Sequence, residues 1–262
     1  MQNGRVQDEE VVEMDKSLKL VFVVGTLLIF TMFLSHAITQ DGKIITGTKG
    51  SFSEVKLNVA LPESPEKLPL YRIVDVGRDS YASKDFMKLS GSVPSEEEAR
   101  RLALEFLGKR GPLPDGLTPK VVEVVKLREV NVKTNDTLQE LPVGVNLIFE
   151  RVVNGYPVTG PKADRIAILV GGKGNITYYS KLWYEIERSN DTAILPAENA
   201  FEKLKRGEVL NRMKAVPKTL KISEVKLGYY VGKDQKYYIP AWLFYGEDEI
   251  GNRIVLMVDA RR

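Results

Sequence analysis

The sequence contains no cysteine and a single histidine, His36, among its 262 residues. Disulfide bonds therefore cannot hold the fold together, and a Cys/His zinc site cannot form after residue 36. Ser-His-Asp and Cys-His nucleophile systems are excluded from the same part of the chain. A carboxylate-based enzyme stays open, but no pair of acidic residues can be assigned to a common cleft. We expect a non-catalytic protein and predict no catalytic, cofactor-binding or metal-binding residues.

Long blocks of like charge are also missing after the N-terminal tail. The 38 Lys and Arg residues and the 35 Asp and Glu residues are mixed along the chain, with a net charge of +3. Nucleic-acid-binding segments concentrate basic residues, so we expect no nucleic-acid partner. Glu247-Asp248-Glu249 lacks EF-hand spacing and is interpreted as a solvated hairpin tip. Gly171–Gly174, between two strand patterns, is interpreted as a hairpin turn and not a phosphate-binding loop.

One long hydrophobic run is present, and no charged residue interrupts it between Leu20 and Gln40. At about 1.5 Å per residue, a helix over Leu20–Ile38 approaches the roughly 30 Å hydrocarbon core of a bilayer. We predict a single-pass protein of the cell membrane, with a short cytoplasmic tail over residues 1–19 and a transmembrane helix over 20–38. A stalk over residues 39–53 follows.

A cleaved signal peptide is the alternative interpretation of this run. Ser35-His36-Ala37 offers small residues at a cleavage-like spacing, so cleavage would follow Ala37. The tail before the run is acidic, whereas signal peptides favour positive charge there, and the run is long for a signal. We therefore favour a retained signal-anchor.

Three Asn-x-Ser/Thr triplets lie after the hydrophobic run, at Asn135, Asn175 and Asn190. They are candidate N-glycosylation sites only if this part of the chain lies outside the cell. Basic residues are balanced across the short flanks of the run, so charge alone does not set the orientation. The triplets favour an extracytoplasmic bulk.

Two helices are predicted after the stalk. Ser95 and Glu98 form a capping box, with Glu96 and Glu97 in the first turn. Apolar residues at helical spacing continue this helix to the glycines at 108 and 111. A second helix begins at Pro196 and ends near Gly207.

Strand patterns fill the remainder. Asn154-Gly155 between two β-rich runs predicts a tight hairpin. In adjacent aromatic pairs such as Tyr229-Tyr230, one side chain should face the core and the other should face outward. We predict strands over residues 55–61, 70–76, 121–130, 143–153, 156–158, 165–170, 176–186, 220–231, 237–245 and 253–258.

The order of helix followed by strands occurs twice. Runs of antiparallel strands with single helices are typical of α+β proteins. We predict an N-terminal transmembrane helix followed by two tandem helix-plus-antiparallel-sheet units, the first α+β unit over residues 54–189 and the second over 190–262.

Several of these motifs resemble the PepSY module over roughly Leu68–Asp259. They are the helix start Ser95-Glu96-Glu97-Glu98-Ala99, the strand end Asn154-Gly155-Tyr156-Pro157-Val158 and the strand Asp164–Val170. Tyr238–Phe244 is similar to the closing repeat of tandem, membrane-anchored relatives of that module. Modules of this kind occur as peptidase propeptides, inhibitory domains and anchored envelope regulators.

The resemblance implies a membrane-anchored, extracytoplasmic and non-catalytic protein-binding module with a regulatory or inhibitory role. No protease domain is attached, so we expect the target to be another envelope or membrane protein. We expect the contact to use an exposed sheet edge or an aromatic concavity. The alternative is a structural or accessory subunit of a membrane or cell-envelope complex, held in the lipid bilayer through Leu20–Ile38.

Overall fold

Strands dominate the chain. The computed structural model describes residues 52–83, 92–130, 137–211, 217–233 and 236–262. Of the described residues, 58% lie in strands and 14% in helices. The described strands are β1 (Glu54–Leu57), β2 (Lys67–Ala82), β3 (Leu117–Val130), β4 (Thr137–Val153), β5 (Tyr156–Thr159), β6 (Arg165–Gly171), β7 (Ile176–Ala193), β8 (Thr219–Tyr230), β9 (Tyr237–Asp248) and β10 (Arg253–Asp259).

Both predicted helices are confirmed. Helix α1 spans Glu96–Lys109, and the Ser95 side chain accepts a hydrogen bond from the Glu98 backbone N–H at 3.2 Å, as a capping residue should. Helix α2 spans Ala197–Lys205, with Pro196 at its N-cap.

The first sheet is antiparallel, in the order β3–β4–β6–β7–β2. Helix α1 lies on one face, where its small residues allow a close approach to the strands. Its buried face packs on a cluster that includes Leu147, Phe149, Ile168, Tyr179 and Trp183. Burying this apolar surface is what stabilises the helix on the sheet.

The second sheet is built around β8 and β9. These two strands pair antiparallel, β10 pairs with β9, and β1 and β5 pair parallel with opposite ends of β8. Helix α2 packs on this sheet through a buried cluster that contains Ala200, Leu204, Trp242, Phe244 and Leu256.

The two sheets are joined by strands that pair with both. β5 pairs with β4 and β8, and β2 pairs with β7 and, at Tyr71 and Arg72, with β9. The pairings therefore close a ring, β8–β5–β4–β6–β7–β2–β9–β8. A buried tyrosine cluster lies at this junction and includes Tyr71, Tyr184, Tyr229 and Tyr238.

The predicted fold class is wrong. The structure is a sheet-rich fold in which strands from residues 54–189 pair directly with strands from 190–262, and not two successive helix-plus-sheet units. The local patterns located both helices and most of the strands, but the predicted strand over 70–76 covers only part of β2. Strand order depends on contacts far apart in sequence, which local patterns do not contain.

Among the residues that the structure describes, no helix is long and apolar enough to cross a membrane. The predicted tail (1–19), the predicted transmembrane helix (20–38) and the stalk up to residue 51 lie outside those residues.

Two local predictions had different outcomes. The Asn154-Gly155 hairpin is confirmed: both residues have positive φ, 51° and 82°, as a two-residue hairpin turn of this type requires. The prediction that one of Tyr229 and Tyr230 faces outward is wrong, because both are buried. They lie in separate apolar clusters on the two faces of β8, and both of those faces are covered.

Candidate functional site

A polar cluster lies buried where the two sheets meet. The Asp164 carboxylate, just before β6, accepts hydrogen bonds from the Tyr184 backbone N–H at 2.8 Å and from the Tyr238 hydroxyl. Nη1 of Arg151 lies 3.2 Å from this carboxylate and donates to the Tyr184 carbonyl at 2.8 Å. The cluster therefore connects β4 and β7 of the first sheet with β9 of the second sheet.

Burial controls the ionisation of these groups. It raises the pKa of the Asp164 carboxyl above its ordinary value, although the neighbouring Arg151 charge opposes the shift. Burial also raises the pKa of the Tyr238 hydroxyl, and the adjacent Asp164 charge adds to this rise. Tyr238 is thus a hydrogen-bond donor across the physiological range.

The cluster is closed to a substrate. Asp164 and Tyr238 are 0% exposed, Arg151 is 6% exposed, and its guanidinium carbon lies 4.8 Å from the centre of the Trp183 ring. Reacting groups must touch a substrate, and these groups touch only protein. We interpret the cluster as a structural contact that holds the two sheets together.

The outer edge of β2 is the most accessible candidate for a binding site. Along one side, β2 pairs with β7 from Lys67 to Ala82. Along the other side it meets β9 at Tyr71 and Arg72, and the Ile73 N–H donates to the Lys236 carbonyl at 2.8 Å. From Val74 to Ala82, no strand of the described ranges pairs with this side, and every residue is exposed. Within the described ranges, the strand position next to β2 and in line with β9 is therefore vacant.

The backbone groups that face this vacancy can be identified. The Ser83 N–H donates to the Thr177 carbonyl at 2.9 Å, toward β7. Residues of an antiparallel pair alternate in direction, so Gly77, Asp79 and Tyr81 also face β7. The Val76 N–H donates to the Asp75 carboxylate at 2.7 Å instead of to β7, in agreement with this alternation. The outward backbone groups are those of Val76, Arg78, Ser80 and Ala82.

This edge is more regular than the other free edges of the described sheets. The register of β2 with β7 is unbroken from Asp75 to Ala82, eight residues. β3 contains Pro119 and three register shifts, which leave Val121–Val125 as its longest regular stretch. Proline and bulges are devices that protect an edge from pairing. β10 has Leu210 against its outer side, where the Leu210 N–H donates to the Met257 carbonyl at 2.6 Å.

Charged side chains divide the edge into two faces. On the face of α1, Asp79 accepts a hydrogen bond at 2.7 Å from Arg110, whose guanidinium lies over the Phe106 and Tyr179 rings. Asp75 lies on the same face, opposite Glu185 of β7. Arg78 belongs to the other face. No ion pair of Asp75, Arg78 or Glu185 occurs within the described ranges.

The predicted glycosylation residues are separated. Asn175 and Asn190 are both exposed, the first after the β6–β7 turn and the second near the end of β7. Asn135 lies outside the described residues. Their glycosylation stays a prediction.

The two loop interpretations agree with the structure. A 3-10 turn over Gly172–Gly174 joins antiparallel β6 and β7, which confirms the hairpin at that site. In the β9–β10 turn, Asp248 accepts hydrogen bonds from the backbone N–H groups of Ile250 and Asn252 at 3.0 and 2.8 Å. Glu249 accepts one from the Thr219 N–H at 3.2 Å.

Sequence reasoning did not identify the polar cluster or the vacant edge. Arg151 and Asp164 resemble ordinary surface charges in the sequence, and no motif marks their contact. The strand prediction ended at Val76, because Gly77, Asp79 and Ser80 are poor strand formers. The alternation of Val74 and Val76 was the only local signal of an edge here.

Comparisons with known proteins identify no family. No family model matches the chain, and no curated protein matches it. Among solved structures, the chain is similar to an uncharacterized protein from Eubacterium rectale ATCC 33656, whose crystal structure was determined at 1.45 Å resolution. The two share 17% sequence identity with a TM-score of 0.37, over 68% of this chain and 57% of the other. The chain thus matches little more than half of that protein, and the PepSY resemblance stays a prediction.

Proposed function

We propose that this protein is a non-catalytic protein-binding module that captures an extended segment of another protein as an added strand along β2. The observation that carries this proposal is that no strand among the described residues pairs with the outer side of Asp75–Ala82. Addition of a strand to an exposed sheet edge is a common mode of peptide recognition. Such capture suits a regulatory or inhibitory role, because it withdraws the bound segment from other contacts.

Backbone pairing supplies general affinity at this edge. Arg78, Ser80 and Ala82 each direct an N–H and a C=O outward, whereas the outward N–H of Val76 already donates to the Asp75 carboxylate. A hydrogen bond contributes about 0.5–1.5 kcal/mol net, and ordering the peptide offsets part of this gain. Selectivity must therefore come from side chains.

The rigidity of the edge favours this function. The Arg110 side chain links the end of α1 to Asp79, and the long pairing with β7 holds β2 extended. A preformed edge lowers the entropy cost of binding.

We propose that the module lies outside the cell membrane, that Leu20–Ile38 holds it in the bilayer, and that its partner is another envelope or membrane protein. The apolar length of Leu20–Ile38 supports the anchor. Membranes extracted with alkaline carbonate test it: an anchored protein stays in the pellet, and release into the supernatant contradicts the anchor.

The binding proposal is tested with the full-length protein in detergent micelles and a displayed library of random peptides. We expect enriched peptides to bind the wild type and Ser80→Ala but to lose binding to Ser80→Pro. Proline removes the outward N–H of residue 80 and leaves the ladder with β7 intact. Equal binding to Ser80→Pro, or no enrichment, would overturn the proposal.

A second measurement keeps this test decisive if Ser80→Pro unfolds. The best peptide is synthesised with single N-methyl groups at successive positions. We expect alternate positions to abolish binding, because only every second peptide N–H points at β2. Loss without alternation contradicts strand addition.

A further inference from the structure

We propose, as an extension of the proposed function, that the β2 edge selects an antiparallel strand of a different protein with an acidic residue opposite Arg78 and a basic residue opposite Asp75. Read along the partner chain, this pattern is Asp/Glu-x-x-Lys/Arg. The charges of the edge and the geometry of its pairing lead to this pattern.

The direction of the incoming strand follows from β9. β9 already pairs antiparallel with the same side of β2, at Tyr71 and Arg72. β9 contacts this side of β2 as far as Ile73, whose N–H donates to the Lys236 carbonyl, and within the described ranges the vacant position continues that line from there. Every described pairing of β2 is antiparallel, so a strand in the same direction matches the existing hydrogen-bond pattern.

On the face toward α1, the charges of the edge favour a basic side chain on the incoming strand. Asp75 lies directly opposite Glu185, and both are exposed without an ion pair in the described residues. Like charges directly opposite each other across two strands are destabilising. A Lys or Arg on the added strand would lie one strand spacing from Asp75 and two from Glu185, and its positive charge would offset part of this repulsion.

On the opposite face, the charge of the edge favours an acidic side chain on the incoming strand. Arg78 is exposed, lies next to Leu182 on β7 and makes no ion pair among the described residues. Val76, on the same face, is 38% exposed and offers an apolar contact beside it. An Asp or Glu opposite Arg78 would form a cross-strand pair of opposite charge.

A second copy of this chain fits the edge poorly. Two antiparallel β2 edges related by a two-fold axis pair residues symmetrically about a central residue. The registers with the longest overlap are centred on Gly77, Arg78 and Asp79. The register centred on Gly77 places Asp75 of one copy opposite Asp79 of the other. The registers centred on Arg78 and on Asp79 place that residue opposite its own copy. Each arrangement brings like charges together, so the edge disfavours self-association while it remains open to a partner.

Two blocked peptides of equal composition test the pattern, acetyl-TVTTEFVK-amide and the charge-swapped acetyl-TVTTKFVE-amide. We expect the full-length wild type to bind the first roughly tenfold more tightly, because two attractive cross-strand pairs replace two repulsive ones. The double variant Asp75→Lys with Arg78→Glu should reverse this preference. Ser80→Pro should bind neither peptide, and Ser80→Ala should behave like the wild type.

The outcomes separate this inference from the proposed function. If the wild type binds both peptides equally and Ser80→Pro binds neither, the charge pattern is wrong but strand capture at β2 is supported. Binding that Ser80→Pro does not reduce overturns strand capture at β2. A wild-type dimer in sedimentation that Ser80→Pro dissociates would show that a second copy occupies the edge, against this inference.

Discussion

Single residues at the junction of the two sheets hold together strands that are distant in sequence. Tyr238 and Tyr229 are both 0% exposed, and each donates one hydroxyl hydrogen bond, to Asp164 and to the Pro69 carbonyl respectively. They differ in the charge of the acceptor, and the Tyr238 hydroxyl also accepts a hydrogen bond from Arg151 Nη1 at 3.1 Å. A hydrogen bond to a charged group contributes about 1.5–3 kcal/mol, against about 0.5–1.5 kcal/mol for a neutral acceptor.

This difference gives a matched prediction. We expect Tyr238→Phe to lower the free energy of unfolding by about 1 kcal/mol more than Tyr229→Phe does, because only Tyr238 bonds to a buried carboxylate. Urea denaturation of the two variants measures the difference. Equal losses would mean that the Tyr238–Asp164 contact is no stronger than a neutral one.

Asp164 should also make stability depend on pH. Its folded-state pKa is raised by burial, so the folded protein binds a proton more readily than the unfolded chain. Stability from this group is therefore complete below the unfolded pKa of about 3.9 and is lost as pH rises through the raised folded-state pKa. We expect Asp164→Asn to remove this decline, measured by urea denaturation at a series of pH values. The exposed control Glu96→Gln should keep it, and an unchanged decline in Asp164→Asn would contradict the shift.

At the scale of elements, β2 shows that pairing with a neighbouring strand can hold residues of low strand propensity in a strand. The N-cap of α1 at Ser95 and the Asn154-Gly155 turn were predictable, because each depends on residues within one turn of the chain. The second half of β2 was not, because its poor strand formers are held by β7 and by the Arg110–Asp79 contact. The vacant edge was therefore beyond sequence reasoning.

The alternation of backbone groups along β2 can be measured directly. We expect the amide hydrogens of Gly77, Asp79 and Tyr81 to exchange slowly and those of Arg78 and Ser80 to exchange quickly, because only the first set faces β7. Peptide binding should slow the second set. Hydrogen exchange followed by nuclear magnetic resonance reports each amide, and uniform exchange rates would contradict the open edge.

At the scale of the whole molecule, the ring of pairings makes the two sheets interdependent. Trp183 belongs to the first sheet and Trp242 to the second, so each reports on one sheet. The ring also explains why strand positions were predicted better than architecture: β2–β9 and β5–β8 contacts are specified by tertiary packing and not by local pattern.

We expect the two sheets to unfold together. In Trp183→Phe, the fluorescence of Trp242 should follow the same denaturation midpoint as far-ultraviolet circular dichroism, and the same agreement should hold for Trp183 in Trp242→Phe. The second variant should have the lower midpoint, because Trp242 Nε1 donates to the Leu195 carbonyl at 2.8 Å, whereas Trp183 Nε1 is buried without a partner. Separate midpoints for the two probes within one variant would show independent sheets.

The pairing of β2 with β9 has a consequence for the protein during its synthesis. β9 is translated long after β2, so β2 emerges from the ribosome before the ring of pairings can close. During that interval the outer side of β2 lacks even its contacts at Tyr71 and Arg72, and the edge is open along all 16 residues of the strand. Open strand edges are where nascent chains aggregate. We therefore expect the charges of Asp75, Arg78 and Asp79 to limit aggregation of the growing polypeptide before β9 is made.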